Sequence, residues 1–287
     1  MKSYSGIGLR HPHYSAVLAG ESKVGWFEVI SENFMDTEGR PLHILEKVRE
    51  NFPIGTHGVS LNIGSPDPIN LPYLKKLKAL IKRIEPYVVS DHLCWGGTEG
   101  KNWHDLLPLP MTEHTIEHVV QKIKQVQDIL GQRIALENIS TYLLFKEDEM
   151  PEWEFTKRII EEADCYLLLD VNNIYVNSFN HGFDAKNFVR EIPAYRVVQY
   201  HLAGHSNLET FLFDTHDHEI IDPVWELFEF TVNQIGPRPF IIERDDHIPE
   251  LNVIEAEARR AEQIIEKVIK PSRGRNEQAE LSVHQSV

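Results

Sequence analysis

Cysteine is scarce in this chain, and long apolar runs are absent. The 287 residues include only two cysteines, Cys94 and Cys165, which lie far apart and form no CxxC pair. This spacing argues against a disulfide framework and fits a reducing compartment. No apolar run approaches the roughly 20 residues that span a bilayer, and the N-terminal stretch lacks the apolar core of a signal peptide. We therefore expect a cytoplasmic protein without a membrane-spanning segment.

Basic residues are also few compared with acidic ones. The chain has 29 Lys and Arg residues against 44 Asp and Glu residues, a formal charge of −15. Such a surface repels a phosphate backbone, so we do not expect a nucleic-acid partner. The phosphate-binding motifs GxGxxG and GxxxxGKS/T follow none of the predicted strands, which argues against a Rossmann-type sheet.

The chain does have a repeated alternation of apolar strands and amphipathic helices. Near-continuous apolar strands favour a parallel sheet covered by helices, and eight such units close into a (β/α)8 TIM barrel. We assign residues 1–270 to this single barrel domain and predict that residues 271–287 form a disordered tail. The glycine- and proline-rich loop 95–110 is long enough to suggest a functional role. The predicted strands are 6–10, 25–32, 54–62, 87–93, 133–139, 166–173, 197–200 and 239–245, and the predicted helices are 13–21, 41–52, 72–84, 112–130, 153–163, 184–192, 222–235 and 250–269.

Polar side chains gather at the carboxyl ends of six of these predicted strands. Imidazole and carboxylate groups without thiolates are ligands of iron, manganese and zinc. The candidate ligands outnumber those that one ion binds, so we expect two or three metal ions. Glu137 is suited to bridge two of them. The residues in question are His57, Asp91, His92, Glu137, Asn138, Asp170, Asn172, Asn173, His201, His205, Asp214, His216, Glu243 and Asp245.

One further motif matches a metalloprotease pattern. The segment from His114 to His118 reads HTIEH, which fits the HxxEH signature. At helical spacing, however, both histidines lie opposite the apolar stripe that contains Ile116. We therefore interpret them as solvent-facing residues and not as a metal site.

Eight motifs follow one another along the chain, and all but the first contain candidate metal-site residues. They are SENFM (31–35), HGVSLNIGS (57–65), SDHLCW (90–95), LENIS (136–140), LLDVNNIYVNS (168–178), HLAGH (201–205), DTHDH (214–218) and IERD (242–245). In this order along the chain, they resemble the multinuclear non-haem iron-dependent oxidative enzymes, the family of the methanobactin biosynthesis iron enzyme. The resemblance covers roughly residues 5–267.

This resemblance implies a xylose-isomerase-like (β/α)8 barrel that holds two or three irons in mixed Fe(II)/Fe(III) states. It implies O2-dependent oxidation of a ribosomally made precursor peptide, most often at cysteine, with help from a small partner protein that presents the peptide. Asp245 would then lie near the substrate as a proton-transfer group. The implied metal ligands are His57, His92, Glu137, Asp170, Asn173, His201, His205, Asp214, His216 and Glu243.

Two other classes of function remain open from the residues alone. A hydrolase or isomerase that depends on zinc, magnesium or manganese could use the same barrel mouth without O2. A non-enzymatic metal-binding protein would bind ions without turnover. Oxygen consumption with a candidate peptide would separate these classes from the oxidative enzyme.

Overall fold

A computed structural model gives the architecture of residues 4–284, with side chains described for residues 4–269. Over the described residues, the strands are β1 (Ser5–Gly8), β2 (Trp26–Ile30), β3 (Ile54–His57), β4 (Val89–His92), β5 (Trp95–Thr98), β6 (Lys101–Leu107), β7 (Ala135–Glu137), β8 (Tyr166–Asp170), β9 (Val197–Leu202), β10 (Ser206–Asn207), β11 (Leu212–Phe213) and β12 (Phe240–Ile242). The helices are α1 (Tyr14–Leu18), α2 (Glu32–Met35), α3 (Arg40–Arg49), α4 (Leu71–Ile84), α5 (Glu113–Leu130), α6 (Glu152–Glu162), α7 (Val171–His181), α8 (Ala185–Glu191), α9 (Asp222–Ile235) and α10 (Leu251–His284).

Eight of the strands form a closed barrel in the order β1-β12-β9-β8-β7-β4-β3-β2. Every neighbouring pair is parallel, and β1 closes the barrel against both β2 and β12. Each barrel strand falls in or overlaps a strand predicted from the sequence. The TIM-barrel prediction is therefore confirmed, and the carboxyl ends of all eight strands face one mouth.

The helices pack their apolar stripes against the outside of the barrel. In α5, Ile116, Val119 and Ile123 are completely buried, as expected for one face of an amphipathic helix. His114 in the HTIEH motif is exposed as predicted. His118 is only half-buried, and its Nε2 lies 2.9 Å from the Ser65 carbonyl, so the prediction that it faces solvent was wrong.

Two helices interrupt the expected alternation of one strand and one helix. The residues after β8 were predicted to continue the strand to 173, but α7 begins at Val171. The cause is local, because the Asp170 carboxylate accepts a hydrogen bond from Asn173 N at 2.6 Å and caps the helix. The other unpredicted helix, α2, follows β2 directly and places Asn33 and Phe34 at the barrel mouth.

The segment predicted as a long loop over 95–110 contains a β-hairpin instead. Strands β5 and β6 pair antiparallel, with Thr98 opposite Lys101. The two connecting residues, Glu99 and Gly100, both have positive φ angles, of 52° and 70°, as in a type I′ turn. A second small hairpin, formed by β10 and β11, lies in the stretch after β9.

No helix in the part of the chain that the structure describes is long and apolar enough to cross a membrane. Cys94 and Cys165 are buried free thiols. Helix α10 runs past residue 269, where the sequence predicted its end. The predicted disordered tail, 271–287, falls outside the residues whose side chains are described, and it stays a prediction.

Candidate metal centre

Neighbouring barrel strands end on residues that the sequence assigned to a metal site. Strand β3 ends at His57, β4 at His92, β7 at Glu137 and β8 at Asp170. His201 lies one residue before the end of β9 and is level with Asp170 in the strand register. The regular geometry of the barrel thus brings residues from distant parts of the sequence to one point.

His57, His92 and Glu137 form the first group of close potential ligands. Glu137 Oε2 lies 3.0 Å from His57 Nε2 and 3.5 Å from His92 Nε2. On the other side of each ring, His57 Nδ1 donates to the Ser90 hydroxyl at 2.9 Å and His92 Nδ1 donates to the Gly58 carbonyl at 3.0 Å. These outer bonds leave both Nε2 atoms facing Glu137, which is how metal-binding histidines are oriented.

Glu137 also belongs to a second group, with Asp170, His201 and Glu243. His201 Nδ1 lies 3.4 Å from Glu137 Oε1 and 3.0 Å from Glu243 Oε2. On its other side, His201 Nε2 donates to Glu28 Oε1 at 2.8 Å. The two carboxylate oxygens of Glu137 therefore face different groups, an arrangement that suits a ligand shared by two ions.

Glu243 is shared in the same way with a third group, which contains His216 and Asp245. His216 Nδ1 lies 3.5 Å from Glu243 Oε2 and 3.0 Å from Asp245 Oδ2, while its Nε2 lies 2.7 Å from Asp214 Oδ1. Arg10 Nη2 donates to Asp245 Oδ1 at 2.6 Å. This group stands on the segments after β9 and β12, closer to solvent than the other two.

Buried polar atoms without a hydrogen-bond partner test whether metal ions fit here. Such an atom costs on the order of 1–3 kcal/mol unless something binds it. A cation at each group would give these atoms a partner, and the mixed nitrogen and oxygen donors suit iron, manganese or zinc. Among the described residues, the unpartnered atoms at the centre are Glu137 Oε2, Asp170 Oδ2, Asn173 Oδ1, His201 Nδ1 and His216 Nε2.

The electrostatics of the centre also favour a cation. Burial, together with the charges of Glu137 and Asp214, raises the pKa of Asp170 well above its usual value. Burial lowers the pKa of His201, but the nearby carboxylates, Glu28 first among them, outweigh it and raise that pKa well above its usual value. Negative charge is thus in excess around these side chains, and it repels itself unless positive charge is bound.

Three of the predicted ligands, Asn173, His205 and Asp214, lie beside the three groups and not within them. Asn173 sits on the first turn of α7, donates from Nδ2 to the Asn138 carbonyl at 3.0 Å, and leaves Oδ1 free. The His205 ring is buried, with Nδ1 2.7 Å from Asn172 Oδ1. Asn172 in turn donates from Nδ2 to Asp214 Oδ1 at 2.7 Å, so the structure links His205 to the centre through a hydrogen-bonded neighbour.

Asp91, which the sequence also brought to the mouth, faces away from the groups. Side chains alternate along a strand, and its neighbour His92 takes the inward position. Asp91 Oδ2 instead accepts a hydrogen bond from Leu61 N at 3.1 Å and lies 3.5 Å from the Tyr73 hydroxyl. That hydroxyl donates to Glu32 Oε1 at 2.8 Å. Asp91 therefore fixes the loop after β3.

Sequence reasoning missed two charged residues at the centre, Glu28 and Arg10. Glu28 is a buried carboxylate in the apolar strand β2, the same signal that identified Glu137, and it could have been found. It also accepts from Gln199 Nε2 at 2.6 Å. Arg10 lies in a loop after β1, and no local pattern connects it to Asp245, which is 235 positions away.

A cavity of about 470 Å³ opens from these groups to the surface. Its lining combines potential ligands with apolar side chains, so it has the mixed character of a small-molecule or side-chain pocket. The apolar lining residues are Leu9, Ile30, Phe34, Val59, Leu106 and Ile139, and the polar ones at the groups are Arg10, His57, His92, Asn173, Asp214, His216, Glu243 and Asp245.

Comparison with known families gives a match over most of the chain. The model of the family described as "RiPP precursor modification enzyme MbnB/TglH/ChrH" matches residues 4–266. RiPP denotes a ribosomally synthesised and post-translationally modified peptide. The match confirms the family resemblance found from the eight sequence motifs.

Curated proteins of high sequence identity include members of the UPF0276 family. A UPF0276 protein of Anaeromyxobacter sp. (strain Fw109-5) is 51% identical over 259 residues, which cover 90% of this chain and 92% of that protein. A UPF0276 protein of Caulobacter vibrioides is 49% identical over 253 residues, covering 88% of this chain and 90% of that one. Identity at this level over nearly the full length indicates a common family.

Solved structures with the same architecture are distant in sequence. D-psicose 3-epimerase from Clostridium cellulolyticum matches with a TM-score of 0.57 and 11% identity, covering 93% of this chain and 97% of that one. Endonuclease IV from Thermus thermophilus matches with a TM-score of 0.59 and 15% identity, covering 89% and 97%. At such low identity these likenesses establish the xylose-isomerase-like barrel and nothing about activity.

Proposed function

This chain belongs to the MbnB/TglH/ChrH family of RiPP precursor modification enzymes, and on that premise we propose that it oxidises a cysteine of a precursor peptide with O2 at a centre of two or three irons. The observation that supports this most is the sharing of Glu137 and Glu243 among three adjacent ligand groups. A single-ion hydrolase needs one such group. Three groups joined by two carboxylates suit a multinuclear centre.

The proposed ligands divide into one set per ion. His57, His92 and Glu137 would hold the innermost ion, and Asp170 and His201 would hold the next one between Glu137 and Glu243. Asp214 and His216 would complete an outer position. When bound, iron ions supply the redox chemistry with O2 and favour the thiolate form of a cysteine.

The protein's own residues would orient the substrate and move protons. Asp245 is 44% exposed at its side chain and lies at the cavity wall, where its carboxylate can take a proton from a bound peptide. Arg10 holds that carboxylate by the hydrogen bond to Oδ1, and a second hydrogen bond, from Nε to the Arg244 carbonyl at 3.0 Å, holds Arg10 itself in place. Apolar residues such as Phe34 and Ile139 limit the water around the reacting groups. We further propose that a small partner protein presents the peptide.

Metal content and iron valence test this proposal first. The protein would be purified without O2 from cells grown on iron-57, and its metals counted and examined by Mössbauer spectroscopy. We expect two to three irons per chain, partly ferrous, and O2 uptake that depends on a cysteine-containing peptide. Zinc or manganese alone, with no activity gained after reconstitution with iron, would instead support a metal-dependent hydrolase or isomerase.

A pair of variants makes this measurement specific to the centre. Glu137→Gln removes the carboxylate that two groups share, and we expect it to lose bound iron. His43→Gln changes an exposed histidine on α3, and we expect it to keep the iron content of the parent protein. Equal iron loss in both variants would point to general instability and not to the proposed ligands.

A further inference from the structure

A second cavity, of about 750 Å³, adjoins the metal cavity. It lies between the β5–β6 hairpin and the segment 59–73, and we call it the hairpin groove. Val59 and Leu106 line both cavities, so the groove begins where the metal cavity opens. None of the proposed metal ligands lines it. It is lined by Val59, Ser60, Asn62, Asp67, Pro68, Asn70, Tyr73, Cys94, Gly96, Gly97, Glu99, Gly100, Lys101, Asn102, His104, Asp105 and Leu106.

The inner wall of the groove is held by hydrogen bonds. Asn62 accepts from Gly96 N at 2.7 Å and donates to the Gly97 carbonyl at 2.9 Å. The Asp67 carboxylate accepts from the Thr98 hydroxyl at 3.2 Å, at the end of β5. These contacts fasten the hairpin to the barrel. A wall that is already formed costs little ordering entropy when a ligand binds.

A buried lysine strengthens the same attachment. Lys122 on α5 is 7% exposed, and its Nζ donates to the carbonyl oxygens of Ser65 at 2.7 Å and Asp67 at 3.0 Å. Its charge therefore binds the backbone below the groove and does not face the open side. The base of the groove is fixed, while the hairpin residues Lys101 to Asp105 above it are exposed.

The charge and hydrogen-bonding character of the groove suit an extended basic peptide. Asp67, Glu99 and Asp105 are acidic lining residues, and Lys101 is the basic one. In the described part of the chain, β6 pairs only with β5, so its second edge has backbone groups available to another extended segment. A groove of this kind, leading directly into a reaction cavity, is where the residues flanking a modified side chain would lie.

We propose that the hairpin groove binds the precursor-peptide segment next to the modified residue, and that a lysine or arginine in that segment binds Glu99 and Asp105. The identity of the ligand as a precursor peptide rests on the proposed function. The groove itself rests on its shared walls with the metal cavity, its fixed base and its charge. The hairpin groove thus selects the peptide, whereas the metal centre carries out the reaction.

Binding of short synthetic peptides, without O2, to the protein as purified anaerobically tests this directly. One fluorescent probe carries a cysteine and two lysines in a glycine and serine background, and the other replaces the lysines with glutamates. We expect the lysine probe to bind about tenfold more tightly at low salt, with the difference shrinking as salt screens it. Moving the lysines along the probe should give an optimal distance from the cysteine, because both sites are fixed.

The matched variants have equal changes in charge. In the double variant Glu99→Gln/Asp105→Asn we expect the affinity for the lysine probe to fall about fivefold, as for two exposed ion pairs. The control, Glu38→Gln/Glu147→Gln, changes exposed acids outside both cavities and should leave the affinity unchanged. Equal affinity of the two probes, or equal loss in both variants, overturns the proposal.

Other occupants and a failure of the proposed function give different results. If Mg²⁺ binds the parent protein, is lost in the double variant, and blocks neither probe, then the groove is a cation site and the proposal is wrong. A failed metal proposal would show as absent iron and absent O2 uptake, while charge-dependent probe binding persists. A failed groove proposal would show as normal iron and O2 uptake with binding that ignores Glu99 and Asp105.

Discussion

The inner and outer parts of the candidate centre are built differently. His57, His92 and Glu137 end strands of the barrel, and each histidine is held by a second hydrogen bond to its neighbours. His216 and Asp245 stand in loops, and His216 has a positive φ of 51°. The strands of the closed barrel fix the geometry of the inner part. The outer part depends on loop contacts that a few side chains maintain.

Exposure separates the two parts in the same way. Glu137 and His201 are 1% and 0% exposed, whereas the Asp245 side chain is 44% exposed and lies on the cavity wall. Buried, fixed ligands suit tight ion binding, and a half-open loop suits contact with a substrate. Substitutions of the inner ligands should therefore change metal content, while substitution of the exposed Asp245 should change turnover.

The largest effect should come from Glu137→Gln, which removes charge from two groups at once. Both ligand groups that contain Glu137 lose its charge. We therefore expect metal affinity to fall by about a hundredfold or more, the upper end of the losses caused by changes around a metal site. Activity should fall with it. The measurement is metal content after equilibration with a competing chelator, with His43→Gln as control. Full retention of iron and turnover would remove Glu137 as a bridge.

Asp245→Asn should separate turnover from metal binding. The change removes the proposed proton acceptor but keeps the shape of the side chain, so we expect turnover to fall by about a hundredfold, in the usual range for a general base. Iron content should stay at the level of the parent protein. Anaerobic metal analysis and O2 uptake, made on the same sample, check both halves. Loss of iron would instead make Asp245 a ligand.

Glu28→Gln should lower metal affinity by less than Glu137→Gln does. Glu28 accepts from His201 Nε2 and so turns Nδ1 toward Glu137 and Glu243, where an ion would bind. A glutamine can still accept this bond but loses the charge, and we expect metal affinity to fall about tenfold. Chelator competition measures it, and turnover per bound iron should be unchanged. If turnover per iron fell while affinity held, Glu28 would have to act on the reaction itself.

The sequence was sufficient to predict the barrel and to predict which side chains its mouth brings together in the inner part of the candidate centre. A ligand at the end of an apolar strand is visible as a polar residue after an apolar run, and barrel topology then brings such residues together. The outer contacts could not be predicted in the same way. Arg10 meets Asp245 only because β1 and the segment after β12 are neighbours in the closed barrel.

Local structure was missed where tertiary contacts decide it. The β5–β6 hairpin has a glycine-rich sequence that is typical of a loop, and it is held by Asn62, Ser65 and Asp67 from another segment. The early start of α7 depends on the cap that Asp170 provides. Apolar periodicity does not register such side-chain contacts, since it reports only which face of an element is buried.

A separate prediction concerns fold stability and a half-buried glutamate outside the centre, for comparison with the carboxylates inside it. Both Glu152 oxygens accept from Asn177 Nδ2, at 3.1 and 3.2 Å, and burial raises the pKa of Glu152 to about 8. The folded state thus keeps the proton between pH 4.5 and about 8, where the unfolded chain releases it. Stability should therefore fall as pH rises through this window. It should be level below the window and level again above it.

Glu152→Gln removes this titration, so its stability relative to the parent protein should be higher at about pH 8.5 than at about pH 5, by up to about 4 kcal/mol. Urea unfolding followed by tryptophan fluorescence at the two pH values gives the free energy of unfolding of the variant and the parent protein. The contributions of the other titrating groups cancel in the difference between the two proteins. Glu154→Gln, an exposed change on the same helix, is the control and should show no pH-dependent gain. No gain in Glu152→Gln, or an equal gain in both variants, would mean that burial does not keep Glu152 protonated in the folded state.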